Sequence, residues 1–229
     1  MQSGLCEAAA HNFRTLNAGN ILISCNIAEK GRIAEIAEDF NPDVIYMDPA
    51  RRGEGGKKVF LIEECTPDVL TLKEEIFSIC RHILIKLSPM ADISMVCERL
   101  GEKCREVHVV ASGGECKELL IWMDREWNGE YTISAIELPA SYPDIPEATF
   151  SFLPSEEKNS AAQPADGLLG CSANSMYLFE PGKALMKAGC FNLIGKRFGL
   201  KKTGLSTHYY ITDSDKTAED LYSLGKVFN

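Results

Sequence analysis

The 229-residue sequence lacks the patterns that would assign it at once to a membrane, secreted or zinc-binding class. No apolar run approaches the roughly 20 residues that a membrane-spanning helix needs. No basic segment followed by an apolar one opens the chain, so a signal peptide is not predicted. Nine cysteines are present, but no two have Cys-x-x-Cys spacing. The sequence therefore predicts a cytoplasmic protein with reduced, buried thiols, no disulfide framework and no metal site.

Glycine is plentiful, but it does not form a nucleotide-binding loop. The one cluster runs over residues 53–56 and is followed by two lysines. It is not a P-loop, because Arg51 stands where the first glycine is needed and Lys58 replaces the serine or threonine. It is not a Rossmann fingerprint either, because Lys58 stands at the position of the last glycine.

Positive charge is scarce overall and concentrated in one place. The formal net charge of −9 argues against nucleic-acid binding by the whole surface. Residues 183–202 carry six basic side chains and no acid: Lys183, Lys187, Lys196, Arg197, Lys201 and Lys202. Followed by Tyr209 and Tyr210 as possible stacking faces, this stretch predicts a local RNA-binding surface. The alternative is a solvated helix face.

Hydrophobic spacing predicts the order of helices and strands. Helical spacing occurs in residues 5–16, 31–39, 69–79, 93–100, 184–188 and 193–198. Strand patterns occur in residues 21–27, 44–47, 82–87, 107–112, 118–123 and 207–212, and residues 149–152 are expected to pair with 131–138. Because nearly apolar strands alternate with helices, we predict an α/β fold. Its mostly parallel sheet is covered on both faces and ends in an antiparallel strand pair.

An acid-proline step follows the apolar strand over residues 44–47. The step reads Asp48-Pro49-Ala50-Arg51-Arg52. Ligands of open α/β sheets bind at the carboxyl ends of strands. A carboxylate and a proline carbonyl at such a place can hold the two hydrogens of an exocyclic amino group, which is positioning and electrostatic stabilisation. The alternative is a loop in which Asp48 caps the next segment.

The same step resembles the fourth motif of class I (Rossmann-like) S-adenosylmethionine-dependent methyltransferases. It is most similar to that of a group of bacterial RNA methyltransferases that end in a THUMP-like domain. Residues 176–212 resemble that domain in three places: an aromatic-Glu-Pro start, a helix that ends in Lys-Ala-Gly, and a Thr-His-Tyr-Tyr strand. The resemblance covers nearly the whole chain, with both ends clipped.

The resemblance implies an incomplete Rossmann-like methyltransferase sheet, with its first strands missing, and a small C-terminal α+β THUMP-like module. The implied domains are a partial core at 1–137, a linker or small subdomain at 138–174 and a partial module at 175–229. In the family, the missing strands lie between the strands at 21–27 and 44–47. We therefore expect either direct pairing of those two strands or a homo-oligomer formed through exposed sheet edges.

The implied function is S-adenosylmethionine-dependent methylation of an RNA base, at an exocyclic amino nitrogen. Asp48 and Pro49 are then catalytic, and Asn26, Ile27 and Asp48 contact the cofactor. The expected substrate-binding residues are Arg51, Arg52, Lys86, Ser88, Lys196, Arg197, Lys201 and Lys202. Methylation of uracil C5 is rejected, because the strand at 82–87 is followed by Ser88-Pro89 and not by a nucleophilic cysteine. The alternative is a non-catalytic RNA- or partner-binding protein on a decayed or truncated methyltransferase fold.

The missing glycine-rich loop predicts that this chain alone binds S-adenosylmethionine poorly and is inactive. Isothermal titration of the purified 229-residue chain with the cofactor should give no saturable heat at micromolar concentrations. Micromolar binding would show that other residues replace the loop.

Overall fold

A computed structural model describes residues 3–37, 40–50, 62–138, 148–161, 163–165 and 176–229. The chain divides into two compact units, residues 1–45 with 49–83 and residues 46–48 with 84–229. The domain limits predicted from the sequence, at 137 and 174, do not coincide with this division and stay a prediction.

The first unit contains α1 (Ser3–Thr15), α2 (Ile33–Ile36), a 3-10 helix (Ile62–Glu64) and α3 (Val69–Ile79). The α3 helix begins where predicted, because the Asp68 carboxylate accepts hydrogen bonds from the backbone N–H groups of residues 70 and 71. Glu75 of α3 accepts the N–H groups of Gly31, Ile33 and Ala34 at 2.6, 2.8 and 3.3 Å. These three bonds attach the start of α2 to α3.

Three expectations for the first unit are wrong. Residues 21–27 form no strand, because they pair with no other strand among the described residues. Direct pairing with residues 44–47, one of the two expected arrangements, is therefore absent, and the other, a homo-oligomer, stays a prediction. The helix predicted over 31–39 shortens to the four residues of α2. Cys6 and Cys25 form a disulfide at a Cα–Cα distance of 6.1 Å, within the usual range, whereas reduced thiols were expected.

A six-stranded sheet contains β1 (Val44–Met47), β2 (His82–Leu87), β3 (Cys104–Ser112), β4 (Glu115–Asp124), β5 (Thr132–Leu138) and β6 (Ala148–Phe152). The strand order is β1-β2-β4-β3-β5-β6. The predicted antiparallel pairing of β3 and β4 is confirmed, and Gly113 and Gly114 at φ 61° and 79° join the two strands. The expected place of this pair at the end of the sheet is wrong, because β2 and β5 flank it on either side. The predicted pairing of β6 with β5 is also confirmed.

Burial explains the position of β2, and an N-terminal cap explains where α4 (Ile93–Leu100) begins. Ile83, Ile85 and Leu87 alternate along β2 and are buried, which is the pattern of a strand packed on one face. The α4 helix begins after Asp92, whose carboxylate accepts the N–H of Met95 at 2.8 Å. Both elements have the limits that the sequence predicts.

The C-terminal module is built on a second sheet. Its strands are β7 (Tyr177–Pro181), β8 (Lys201–Lys202), β9 (Tyr210–Thr212) and β10 (Gly225–Phe228), in the antiparallel order β10-β7-β9-β8. The helices of this region are α5 (Pro154–Lys158), α6 (Lys183–Ala188), α7 (Leu193–Phe198) and α8 (Asp215–Leu221). The α6 helix packs on β3, β4 and β5, and Glu137 of β5 accepts the N–H of Ala184 at 2.7 Å.

Within the described ranges, no helix combines the length and the apolar character that a bilayer crossing requires.

Gly225 provides a test of the second sheet. A Cβ atom at this residue would lie 2.3 Å from the carbonyl oxygen of Glu180 and 2.9 Å from the backbone nitrogen of Gly182. Backbone atoms cannot move aside as a flexible side chain can. We expect Gly225→Ala to lower the free energy of unfolding by about 1–3 kcal/mol, measured by denaturant titration. Gly204→Ala is the control, because its nearest atom would be 3.4 Å away. Equal stability of the two variants would show that β10 does not pack on β7 in this way.

Candidate functional site

Asp48 lies at the carboxyl end of β1 and is held by a neighbouring strand. The Nζ of Lys86, near the carboxyl end of β2, is 2.8 Å from Asp48 Oδ2. The Asp48 side chain is 52% exposed and the Lys86 side chain is 30% exposed, so the ion pair borders solvent. The carboxyl ends of β1 and β2 therefore meet at one edge of the sheet, and Lys86 lies at the edge where the sequence predicted it.

Glu118 of β4 is a third charged group at this place. Its Oε2 is 4.0 Å from the Lys86 Nζ, since β4 is the other neighbour of β2. The hydrogen bond to Asp48 raises the pKa of Lys86, burial opposes the shift, and the charge of Glu118 adds to it. Lys86 is therefore an ammonium at neutral pH, shared between two carboxylates.

The Asp48 carboxylate leaves one acceptor for a ligand. Lys86 occupies Oδ2 of Asp48, while Oδ1 has no partner among the described residues. Pro49 has no N–H to donate, so its backbone offers only an acceptor. The three side chains sum to one negative charge, which favours a ligand that carries or develops positive charge.

Sequence reasoning missed Glu118. Glu118 alternates with apolar residues along the sequence, and this pattern indicates only a strand residue that faces away from the buried side chains. The signal that brings it to the site is the strand order, in which β4 lies between β2 and β3.

Ser88 was predicted to bind substrate. Its hydroxyl accepts the N–H of Met90 at 3.2 Å in the turn before α4, and its substrate role stays a prediction.

Two of the residues assigned to the cofactor, Asn26 and Ile27, are exposed in the first unit. Asn26 and Ile27 lie in the exposed segment of the first unit, where Asn26 donates to the hydroxyl of Ser24 and Ile27 is 39% exposed. Cofactor sites bury most of their ligand. Asn26 and Ile27 alone therefore do not enclose S-adenosylmethionine. Arg51 and Arg52 lie outside the described residues.

The predicted basic surface is smaller than the sequence suggested. Lys196 and Lys201 are exposed. Arg197 donates to the Ser151 carbonyl at 2.7 Å and to Glu156 at 2.9 Å. These contacts attach α7 to β6 and α5.

Two further members of that surface are internal. Lys202 is only 5% exposed, and its Nζ is 3.4 Å from Asn192 Oδ1. Tyr210 is fully buried, and its hydroxyl donates to the Phe191 carbonyl at 2.7 Å, so its ring offers no stacking face. The expectation that these two side chains meet RNA is wrong, because strand pairing of β8 with β9 turns both inward. Tyr209, at 45% exposure, remains on the surface.

Comparison with known proteins gives one family model and one solved structure. Residues 177–218 match the model of a ferredoxin-like domain, which describes the module that was expected to be THUMP-like. The chain is similar to a protein of Porphyromonas gingivalis W83 whose crystal structure is described as that of a "putative methyltransferase". The two are 31% identical with a TM-score of 0.79, over 97% of this chain and 52% of that one. The chain therefore spans about half the length of this relative. No curated protein matches.

The shared ammonium gives a prediction about Lys86. Removing the Asp48 carboxylate by Asp48→Ala should lower the pKa of Lys86, because the hydrogen bond to Asp48 is the largest cause that raises it. Glu118→Ala should lower the pKa less, since that carboxylate is 4.0 Å away. Nuclear magnetic resonance of the labelled lysine side chain as a function of pH measures both. A larger effect of Glu118→Ala would contradict the pairing described here.

Proposed function

We propose that this chain carries the substrate-facing part of an S-adenosylmethionine-dependent methyltransferase that acts on an RNA base at an exocyclic amino nitrogen. The observation that carries the proposal is the Asp48 carboxylate at the carboxyl end of β1. Lys86 fixes one of its oxygens, and the other oxygen has no partner among the described residues. Similarity to the P. gingivalis protein whose structure is described as that of a "putative methyltransferase" supports the same class of reaction.

Two acceptors, from Asp48 and Pro49, would suit an amino group attached to an aromatic ring. The nitrogen lone pair of such a group is delocalised into the ring, so the nitrogen is a weak nucleophile. Asp48 Oδ1 and the Pro49 carbonyl would each accept one of its hydrogens and favour a pyramidal nitrogen. Positive charge develops on the nitrogen as it gains its new bond, and the net negative charge of the Asp48, Lys86 and Glu118 group would stabilise it.

RNA is the proposed substrate because basic side chains follow Asp48 in the sequence and basic and aromatic side chains lie on the surface of the C-terminal module. Arg51 and Arg52 follow the catalytic step in the sequence, and a guanidinium can stack on a base or bind a phosphate. The C-terminal module presents Lys196, Lys201 and the half-exposed ring of Tyr209. Phosphate contacts with exposed stacking faces are typical of single-stranded RNA binding.

The proposal concerns the complete active protein. Asn26 and Ile27 do not enclose S-adenosylmethionine, and the solved relative is about twice as long as this chain. In this proposal, residues outside the described ranges complete the cofactor site. The same openness of Asn26 and Ile27 favours the second candidate, a non-catalytic RNA- or partner-binding protein.

Asp48→Ala separates the two candidates. In the complete protein, the substitution should lower kcat for methyl transfer by about 10²-fold or more, because it removes an acceptor that acts in the transition state. The affinity for RNA and for the cofactor should stay within a few-fold.

The control is Asp220→Ala, which removes an exposed carboxylate of α8 and should leave kcat unchanged. The measurement is incorporation of a labelled methyl group at saturating substrate. Near-normal turnover of Asp48→Ala would remove Asp48 from the mechanism. Absence of any turnover in the unsubstituted protein, with RNA binding retained, would favour the non-catalytic candidate.

A further inference from the structure

The turn that follows β2 presents one large apolar side chain to solvent. Residues 88–91 (Ser-Pro-Met-Ala) come directly after the last residue of β2. Met90 is 67% exposed, although the residue after it, Ala91, is buried at 7%. Lys86, which bonds Asp48 at 2.8 Å, lies one residue before the end of the same strand. Met90 therefore stands at the edge of the sheet that carries the candidate site.

Hydrogen bonds hold this turn in one shape. The N–H of Ala91 donates to the Ser88 carbonyl at 3.0 Å, which closes a β-turn. The second residue of the turn is Pro89, whose fixed φ suits that position. The N–H of Met90 donates to the Ser88 hydroxyl at 3.2 Å, and Asp92, the first residue after the turn, caps α4. The backbone of Met90 is thus fixed before any ligand arrives, so a contact through its side chain costs little ordering of the chain.

A lysine of the C-terminal module also holds this turn. The Nζ of Lys187, near the end of α6, donates to the Ala91 carbonyl at 2.7 Å. The two residues are 96 positions apart in the sequence. Since α6 itself packs on β3, β4 and β5, Lys187 extends the contacts of the module to the turn after β2. The place of the turn therefore depends on the C-terminal module.

A methionine at this edge suits the flat face of a base. In the proposed function, Asp48 and the Pro49 carbonyl accept hydrogens at the rim of an aromatic ring. Two hydrogen bonds at the rim leave the faces of the ring for other groups to cover. Methionine has an unbranched, polarisable thioether that makes favourable contacts with aromatic rings. Met90 is exposed at the same edge of the sheet and can supply such a contact.

We propose that Met90 packs on the face of the target base, and that Lys187 is a positioning residue that holds residues 88–91 where Met90 can make this contact. This inference rests on the proposed function, because Asp48 is to hold the same base. A thioether contacts any aromatic ring and reads no hydrogen-bond pattern. Met90 therefore adds affinity for the RNA, while the choice of the amino group stays with Asp48 and Pro49.

Kinetics of the complete protein test both roles. Met90→Ala should raise KM for RNA about two- to tenfold and leave kcat within about twofold, because the contact is made both before and during methyl transfer. Lys187→Met should also raise KM, and Lys187→Arg, which keeps a charged donor, should restore most of the loss. The double variant Met90→Ala/Lys187→Met should show no further increase, since Lys187 acts through Met90.

The controls are Met95→Ala and Lys216→Met. Both side chains are exposed, on α4 and α8, and both variants should leave KM unchanged. An unchanged KM in Met90→Ala, or an equal rise in Met95→Ala, would overturn the proposal. A rise in Met90→Ala without one in Lys187→Met would overturn the role of Lys187.

A binding measurement separates this proposal from the proposed function. The methionine methyl groups of the complete protein are labelled for nuclear magnetic resonance, and the Met90 signal is identified by its loss in Met90→Ala. Adenosine, cytidine and guanosine, which carry exocyclic amino groups, are each added at millimolar concentration. We expect the ring current of the base to move the Met90 signal upfield, while the Met95 signal stays in place.

The expected shift of the Met90 signal does not require methyl transfer. A shift in a protein that shows no turnover would contradict the proposed function alone. Turnover without a shift of the Met90 signal by any of the nucleosides would overturn the role of Met90 alone. Absence of both turnover and shift would overturn both.

Discussion

The ion pair between Asp48 and Lys86 joins two neighbouring strands at the edge of the sheet where the candidate site lies. Because both side chains are partly exposed, such a pair contributes only about 0–1 kcal/mol to stability. Its importance is geometric. The ion pair holds one carboxylate oxygen of Asp48 in place, and this also fixes the direction of the other oxygen, since both are bonded to the same carbon. Glu118, on the next strand, restrains Lys86 from the other side. A positioned acceptor needs less reorganisation when a ligand arrives.

The site depends on a well-packed sheet behind it. Ile83 and Ile85 in β2 and Ile121 in β4 have no exposed surface, so the strands that carry Lys86 and Glu118 cannot shift without opening the core. The C-terminal module is attached to the same sheet through α6. There, the carboxylate of Glu137 accepts a backbone N–H, and burial raises its pKa. The proposed RNA-binding module is thus packed on the sheet that holds the proposed catalytic residue.

Local sequence signals predicted the elements whose partners are close in sequence. The limits of α3, β2, α4 and α7 follow from apolar spacing, and the hairpin of β3 and β4 follows from its two glycines. Properties that depend on distant partners were not predictable in the same way. Lys202 and Tyr210 look like surface residues in the sequence, but strand pairing buries both. Residues 21–27 have strand composition, yet a strand forms only when a partner supplies hydrogen bonds.

The most direct test of the account is the identity of the modified nucleoside. The complete protein would be incubated with cofactor and RNA, the RNA digested to nucleosides, and each product examined by mass spectrometry with fragmentation that locates the methyl group. The account predicts a methyl group on an exocyclic nitrogen of a base, absent when Asp48 is replaced by alanine. A methyl group on a ring carbon or on the ribose would contradict the assignment of Asp48 and Pro49 to an amino group.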